Sequence, residues 1–330
     1  MAVTLKDVAA RAGVSRSAVS RTFTQGASVS EKMRRKVEEA AQELGYHPNA
    51  LASSLTTGRT KLIGLVSSNF HNPIFLEVFD LFTKGLQDKG LRPLLVNLTD
   101  ETDPEQSVRM LRQYSVDGVI VASSTLPPSF AEAFSAARLP VVHGFGRHSA
   151  SSKVPVVGID NVECGRMAAR TLIDRGYGRI GFMGGPWSAT STQDRLAGFR
   201  EVLAAHPEVQ TSESFAAAYT FAAGRREMLR LIGRGPAEAY FCGDDVVSIG
   251  ALSAIQDSGL SVPGDIGIIG LNDMEMAGWE NIALTTIRQP IPEIVEASVG
   301  LMVAILADPD FVPEARIFPT VLVERKTLRR

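Results

Sequence analysis

The chain has 330 residues, of which 45% are hydrophobic and 21% are charged, and its formal net charge at pH 7 is −2. This balance is typical of a soluble globular protein with two or three compact units. The first residues lack the pattern of a signal peptide, and no later apolar run approaches the length of a membrane span, so export and membrane insertion are excluded and a cytoplasmic location is expected.

Positive charge is concentrated at the start of the chain. Residues 1–60 contain nine Lys and Arg against five acidic residues, a local charge of +4 that leaves −6 for the remainder. Local positive charge is what nucleic-acid contact requires, although a solvated basic face would give the same count. Cys164 and Cys242 lie far apart, with no cysteine or histidine at metal-ligand spacing. We therefore expect both to be buried, reduced thiols.

The first 46 residues carry the start and stop signals of three short helices. Asp7 follows the first candidate cap at the spacing of a capping box, and apolar residues recur on one side of each segment. Glycine and proline punctuate the ends. The predicted helices begin at Thr4, Ser15 and Ser30 and end at Gly13, Phe23 and Gly45.

Two short helices joined by a glycine turn and braced by a third are the parts of a helix-turn-helix DNA reader. A small helical bundle used for protein contacts would show the same pattern. The outward face of the second helix favours the DNA reader, because Arg16, Ser17, Ser20 and Arg21 are side chains that reach phosphates and base edges.

From residue 61 onward, short apolar runs alternate with amphipathic segments. Strands that are apolar throughout and separated by helices predict parallel sheets covered on both faces. About 270 residues of this pattern exceed one core, so we expect two doubly wound lobes with a ligand cleft at the carboxyl ends of the strands. Strands are predicted at 62–66, 94–96, 119–121, 140–142, 180–183, 240–242 and 266–270, and helices near 75–89, 104–114, 161–175, 192–205, 245–258 and 291–307.

A set of motifs runs along the whole chain. An amino-terminal signature is carried by residues 4–9, 12–15, 19–21, 29–30, 44–46 and 48–55, and weaker motifs follow at 72–73, 117–120, 195–199, 259–263 and 284–290. In this order they resemble the lactose repressor (LacI) family, and the resemblance covers essentially the whole chain. The resemblance implies a homodimer that binds a pseudo-palindromic operator. It also implies an all-α helix-turn-helix domain followed by an α/β, two-lobed core of the type I periplasmic-binding-protein kind.

The resemblance, together with the pattern of elements, divides the chain into three parts. Residues 1–46 form the DNA-binding domain, residues 47–60 the hinge helix and linker, and residues 61–330 the effector-binding core. The N-lobe takes about 61–160 and 291–317, and the C-lobe about 161–290 and 318–330. No long leucine-rich segment follows 321–325, so a dimer is expected rather than a tetramer.

DNA contacts are assigned by the resemblance to both the head and the hinge. Arg16 would read a guanine with its guanidinium. Residues 49–56 match the hinge helix, which is too short to form alone in water and should order with its dimer mate on DNA. Leu55 matches the leucine that wedges between base pairs in the minor groove. The full set is Thr4, Leu5, Ser15, Arg16, Ser17, Ser20, Arg21, Ser30, Asn49, Ala52 and Leu55.

Similarity places eight side chains at the effector cleft. An aromatic platform with one arginine and several Asp, Asn or Ser groups suits a hydroxyl-rich ring, so a sugar or sugar derivative is favoured. Core packing is the alternative role for each of the three aromatic side chains. Asn272 replaces the acid usual in the family, and Phe145 stands where several relatives have an aspartate. These two losses of negative charge leave an anionic metabolite open, with Arg147 as its partner. The eight are Phe75, Arg147, Trp187, Ser191, Arg195, Tyr219, Asp244 and Asn272.

Two rival classes are weighed against a regulator. Residues 176–181 have the spacing of a dinucleotide-binding fingerprint, but they follow a helix and precede a strand, so they predict a turn. No phosphate-loop, nucleophile-elbow or zinc-helix motif appears, and the five histidines form no cluster, so we expect no enzyme activity, cofactor or metal. A solute-binding protein would share the core but would need a signal peptide. A repressor is expected, with a transcription activator as the alternative, and the direction of the effector's influence stays open.

Overall fold

The computed structural model describes residues 3–24, 27–47, 54, 58–68, 70–98, 103–148, 152–308 and 310–330. The chain divides into two compact units, Met1–Thr60 and Lys61–Arg330. Within the described residues, no helix is long and apolar enough to cross a membrane.

The first unit contains three helices, α1 Leu5–Ala12, α2 Arg16–Thr22 and α3 Glu31–Leu44. The predicted Asp7 side of the capping box is present, since the backbone N–H and the hydroxyl of Thr4 donate to the Asp7 carboxylate at 2.9 and 2.7 Å. Gly13 ends α1 at a φ of 62°. Ser15 then accepts a hydrogen bond from the Ala18 N–H at 3.2 Å, which starts α2 after a turn of only three residues.

A small apolar core holds these three helices together. Each helix contributes one fully buried valine to this core, namely Val8, Val19 and Val37. Arg34 on α3 donates to the carbonyl oxygen of Thr22 at 3.2 Å, which ties α3 to the end of α2. Helix α2 therefore has one face fixed in the core, and its opposite face is exposed.

The second unit alternates strands and helices as the sequence predicts, with additional elements. In chain order it contains β1 Leu62–Ser67, α4 Ile74–Asp88, β2 Arg92–Asn97, α5 Pro104–Gln113, β3 Gly118–Ala122, α6 Pro128–Ala136, β4 Val141–Gly144, β5 Val156–Ile159, α7 Asn161–Asp174, β6 Arg179–Gly184, α8 Thr190–Leu203, β7 Gln210–Phe215, α9 Phe221–Ile232, β8 Ala239–Cys242, α10 Asp245–Asp257, β9 Gly267–Asn272, a 3₁₀ helix Glu275–Gly278, β10 Thr285–Arg288, α11 Ile291–Ala307, β11 Ala315–Phe318 and β12 Val321–Val323.

Two six-stranded sheets define two lobes. The first lobe has the strand order β11-β5-β4-β3-β1-β2, and the second has β12-β10-β9-β8-β6-β7. The recorded pairings are parallel except for β12, which runs antiparallel to β10. Central strands such as β3 and β9 are buried along their whole length. The predicted doubly wound architecture is therefore confirmed, with one antiparallel edge strand added to it.

The chain passes between the two sheets three times. The passages lie between β5 and α7, between β10 and α11, and between β11 and β12. Helix α11 packs on α4 and on β3, β4 and β5, so the first lobe is completed by residues that follow the second lobe in the sequence.

Two pairs of helices in the second lobe cross at glycines. Added to Gly198 on α8, a Cβ atom would overlap the carbonyl oxygen of Val162 on α7, and one added to Gly165 on α7 would overlap that of Arg195. Gly224 on α9 and Gly250 on α10 meet opposing backbone in the same way. The helix backbones approach so closely at these crossings that no side chain fits between them.

Both cysteines are buried free thiols, as expected from the sequence. Burial raises the pKa of the Cys242 thiol to about 12, so it is protonated at neutral pH.

Candidate functional site

A cavity lies between the two lobes, at the carboxyl ends of their parallel strands. Its volume is about 40 Å³. This position is where open α/β sheets bind ligands. The first lobe contributes Asn72, Ile74, Phe75, Val78, Ser124, Thr125 and Phe145, the second contributes Arg195, Tyr219, Asp244 and Asn272, and Gln289 comes from the passage between β10 and α11.

Asp244 is the centre of a hydrogen-bond chain that joins the lobes. One carboxylate oxygen accepts from the side-chain amides of Asn72 and Asn272 at 2.9 and 2.8 Å, and the other accepts from the Val246 N–H at 2.8 Å. The side-chain amide of Gln289 donates to the side-chain oxygen of Asn272 at 2.7 Å. Burial raises the pKa of Asp244 to about 6, against the opposing effect of these donors. The bond from Asn72 is a direct link between the two lobes inside the cavity.

Arg195 provides the positive charge that faces the cavity. It is only 4% exposed, and its Nε donates to Asn161 at 2.8 Å while Nη1 donates to the carbonyl oxygen of Gly243. Nη2 has no hydrogen-bond partner among the described residues. This nitrogen is therefore free to donate to a ligand, and its position is fixed by the other two bonds.

Aromatic rings form the apolar part of the cavity. Phe75 packs on Phe79 with ring centroids 5.6 Å apart, and the Tyr219 hydroxyl bonds to Ser191 at 3.3 Å and Thr192 at 2.7 Å. Because its hydroxyl is bound to these two residues of α8, Tyr219 presents its ring to the cavity. Phe145 and Asn272 have positive φ angles, of 62° and 126°. Strained backbone of this kind is concentrated at binding and switching sites.

Five of the eight residues predicted for the cleft line the cavity, and three lie elsewhere. Ser191 is fully buried behind Tyr219. Trp187 is 54% exposed and packs edge-on against Phe215 at 5.2 Å, outside the cavity lining. Arg147 borders a different surface pocket, where its guanidinium binds Asp194 at 2.7 Å.

Four polar residues of the lining were not among those predicted. Asn72 follows β1, Ser124 and Thr125 follow β3, and Gln289 follows β10. Carboxyl ends of parallel strands gather polar residues at one edge, so position after a predicted strand was an available signal for the first three. Strand β10 was not predicted, and the family motif at 284–290, which contains Gln289, did not by itself assign that residue to the cavity.

The residues predicted to contact DNA divide into exposed side chains and helix caps. Arg16, Ser17 and Arg21 are exposed on α2, and Ser20 is half-buried beside them. Thr4, Ser15 and Ser30 are exposed and occupy the N-cap positions of α1, α2 and α3. Leu5 is half-buried against the apolar core of the head. Asn49, Ala52 and Leu55 lie outside the described residues.

A buried acid next to the cavity makes stability depend on pH. Asp245 is fully buried, accepts from the Thr286 hydroxyl at 2.6 Å and from the Met274 N–H at 2.9 Å, and burial raises its pKa to about 7. A carboxyl whose pKa is higher in the fold than in the unfolded chain stabilises the fold below about pH 4 and loses that contribution as pH rises to 7.

We therefore expect Asp245→Asn to remove the free-energy cost of ionising this buried carboxyl, a cost that grows as the pH rises. The amide can accept from Met274 and donate to Thr286, whose hydroxyl can reverse its role. Between pH 5 and 8, the variant should gain about 2 to 4 kcal/mol in free energy of unfolding relative to the unsubstituted chain. Thermal denaturation at each pH measures this. Asp265→Asn is the control, because hydrogen bonds from Ser261 lower the pKa of that exposed carboxyl. A constant difference between the Asp245→Asn and unsubstituted curves would contradict the expectation.

Comparisons with known proteins identify relatives for both units. A family model for bacterial regulatory proteins of the lacI family matches residues 4–49, and one for a periplasmic binding protein-like domain matches 169–328. The HTH-type transcriptional repressor PurR of Escherichia coli O139:H28 (strain E24377A / ETEC) is 33% identical over 332 residues, which cover 98% of this chain and 96% of PurR.

Solved structures of regulators share the whole fold. The lac repressor dimer bound to operator and the anti-inducer ONPF is 28% identical with a TM-score of 0.87, and 99% of each chain is covered. The transcriptional regulator CelR in complex with cellobiose is also 28% identical, with a TM-score of 0.73, and 98% of this chain and 99% of that chain are covered. These relatives are transcriptional regulators and not enzymes. The chain, with its helix-turn-helix head and two-lobed core, belongs to the lacI family of bacterial DNA-binding transcription regulators.

Proposed function

We propose that the chain is a dimeric transcriptional repressor whose affinity for a pseudo-palindromic operator is set by a small polar effector bound between the two lobes of the core. The observation that carries this proposal is the cavity itself, since aromatic rings and polar groups from both lobes converge there. Residues 1–46 are proposed to read DNA and residues 47–60 to form the hinge, with Leu55 as its minor-groove wedge.

The exposed face of α2 supports the DNA-reading role. The Arg16 and Arg21 side chains are exposed there, and Ser17 lies between them on the first turn. In a helix-turn-helix, the second helix enters the major groove and the residues near its N-terminus meet base edges. Phosphate contacts would then come from the caps and the basic residues around this helix.

A neutral, hydroxyl-rich ring is the effector that the cavity chemistry favours. Arg195 and Asp244 oppose each other in charge, so the lining carries one formal charge of each sign. Asn72, Asn272 and Gln289 add neutral amides, and the rings of Phe75 and Tyr219 add faces on which a sugar can stack. We therefore propose a sugar or sugar derivative. Arg147, the partner considered for an anion, is bound to Asp194 outside this lining.

A sugar acid or sugar phosphate is the second candidate, on one observation. Nη2 of Arg195 has no partner among the described residues, and the pKa of Asp244, raised to about 6 by burial, allows its charge to be removed by a proton. A protonated Asp244 would leave Arg195 to pair with an anion.

Coupling between effector and operator follows from the two sites sharing one protein. An effector that bridges the lobes favours one lobe angle, and the lobe angle sets the spacing of the two hinge segments in the dimer. By linkage, the factor by which effector changes operator affinity equals the factor by which operator changes effector affinity.

A thermal-shift panel tests the effector class. Each neutral sugar, such as glucose, galactose or cellobiose, is compared with its matched acid and phosphate, because a ligand at 100 times its Kd stabilises the fold by about 2.7 kcal/mol. We expect a neutral sugar to raise the melting temperature and Arg195→Ala to abolish the shift. Arg200→Ala on the same helix is the control, since Arg200 pairs with Glu213 away from the cavity.

Three outcomes separate the alternatives. A shift with acids or phosphates alone favours the second candidate, and no shift with any class contradicts a cleft effector. Any compound that shifts melting is then titrated into a gel-shift assay on genomic fragments, where a Kd for DNA unaffected by the compound would contradict the coupling.

A further inference from the structure

The N-terminus of helix α8 is capped by the other lobe. Its N-cap residue is Ala189, which has no side chain that could accept a hydrogen bond. The backbone N–H groups of Thr190 and Ser191 have no acceptor within the helix. They donate instead to the carbonyl oxygens of Thr125 and Ser124 in the first lobe, at 3.4 and 3.2 Å. The Thr190 hydroxyl also donates to Ser124, at 3.1 Å. Unsatisfied N–H groups at a helix start need such partners, so this helix depends on lobe contact.

Arg147, in the loop that follows β4, also binds the N-terminal end of α8. Its Nε and Nη2 donate to the two carboxylate oxygens of Asp194 at 2.8 and 2.7 Å, a paired geometry available only to arginine. Nη2 also lies 2.9 Å from the Thr190 carbonyl oxygen and 3.2 Å from the Gln193 side-chain oxygen, so one of its two hydrogens is shared between acceptors. Both charged side chains are less than one-third exposed. One first-lobe side chain thus binds three residues in the first two turns of a second-lobe helix.

The next residue on this helix faces the cavity. Asp194 and Arg195 are adjacent, so a shift of the helix end at Asp194 moves the backbone of Arg195 as well. Arg195 is held on its other side by Asn161, the first residue of α7 after the chain passes between the lobes. The close crossing of α7 and α8 at Gly165 and Gly198 makes the two helices move together.

We propose that Arg147 is a positioning residue, which docks the start of α8 on the first lobe and so sets both lobe closure and the placement of Arg195 in the cavity. The inference rests on the proposed effector cleft for its functional meaning. This positioning role replaces the predicted role of Arg147 as an anion ligand, because Nε, Nη2 and the positive charge of its guanidinium are already bound to α8. The clamp is made of the chain's own residues, and it holds the lobes together before any effector binds.

Hydrogen exchange of the free, DNA-free full-length chain tests this directly. In Arg147→Ala, the amides of Thr190 and Ser191 should exchange at least tenfold faster, because their acceptors lie on the lobe that is released. Amides of the buried strand β9 should be unchanged. Arg147→Lys keeps the charge but cannot span both carboxylate oxygens, so we expect an intermediate rate. Arg166→Ala is the matched control, since Arg166 binds Glu201 of α8 from within the same lobe.

The measurement separates positioning from general stability. Unchanged protection of Thr190 and Ser191 in Arg147→Ala, or an equal loss of protection throughout β9, would overturn the proposal. If that variant yields no folded protein, Asp194→Asn and Arg147→Lys give the same comparison. Because no effector or operator is present, the clamp can be refuted while the effector cleft stands, and the reverse also holds. In the thermal-shift panel, Arg147→Ala should weaken binding of a neutral sugar, and Arg147→Lys should restore part of it.

Discussion

Gly198→Val is expected to prevent the second lobe from folding. The first carbon of any side chain at this position would overlap the carbonyl oxygen of Val162, which is backbone in the first turn of α7. Backbone cannot move aside as the tip of a flexible side chain can, so α7 and α8 would have to separate. Their separation would uncover Phe199 and Leu172, both now buried. We expect a loss of more than about 4 kcal/mol in free energy of unfolding, which is exceptional for one residue. The yield of soluble protein and its thermal transition measure it.

Gly300→Ala, in contrast, is expected to raise the free energy of unfolding. Gly300 lies within α11, is exposed, and has no atom within 4 Å of the position that a Cβ would take. Alanine there should stabilise the protein by about 0.5 to 1 kcal/mol, because glycine is the poorer helix former. If Gly198→Val melted within a few degrees of the unsubstituted chain, close backbone approach could not be what joins α7 to α8.

Arg16→Ala is expected to lower operator affinity about 5- to 150-fold and to remove discrimination at one base pair. Arg16 is the first residue of α2 and its side chain is exposed. A guanidinium that pairs with both acceptors of a guanine contributes about 1 to 3 kcal/mol against the wrong base. The loss should therefore appear on the selected operator and vanish on an operator in which that base pair is replaced.

Arg35→Ala is a suitable comparison for this measurement. Arg35 is an exposed basic residue on α3, in the same small unit, and should change affinity by a similar small factor on every sequence. Gel-shift titrations of both variants at fixed salt on a panel of single-base-substituted operators give the required ratios. An equal loss for Arg16→Ala across the whole panel would assign Arg16 to a phosphate.

The elements that the sequence revealed are those with uniform apolar character or clear helical periodicity. Strand β7 escaped because its first four residues are exposed, at the edge of the sheet, where polar side chains remain solvated. Strand β5 has only four residues, one of them glycine, and β12 has three. Helix α9 buries only Ala223, Gly224 and Met228 while Phe221 and Leu229 are exposed, so its apolar residues do not mark one face. Edge positions and short elements depend on tertiary contacts that local pattern does not contain.

The cleft was predictable where a position in the fold decides what a side chain faces. Asp244 and Asn272 stand at the ends of β8 and β9, so topology alone brings them together. Arg147 illustrates the opposite case, since its surroundings depend on Asp194, which is 47 residues away on the other lobe. Trp187 faces solvent because it packs edge-on against Phe215, which lies outside the cavity on the unpredicted strand β7. Long-range pairings of this kind leave no trace in local spacing.

The three passages of the chain between the sheets fix an order of events during synthesis. Strands β1 to β5 leave the ribosome first, but 131 residues separate the end of β5 from the start of α11, the helix that packs on β3, β4 and β5. At 5 to 20 residues per second, that interval lasts about 7 to 26 s. During it, the part of the first sheet that α11 covers has no helix to shield it from water, since α4 occupies only the neighbouring part of that face. A nascent chain of this family member is therefore most prone to aggregate, or to need a chaperone, while its second lobe is being translated.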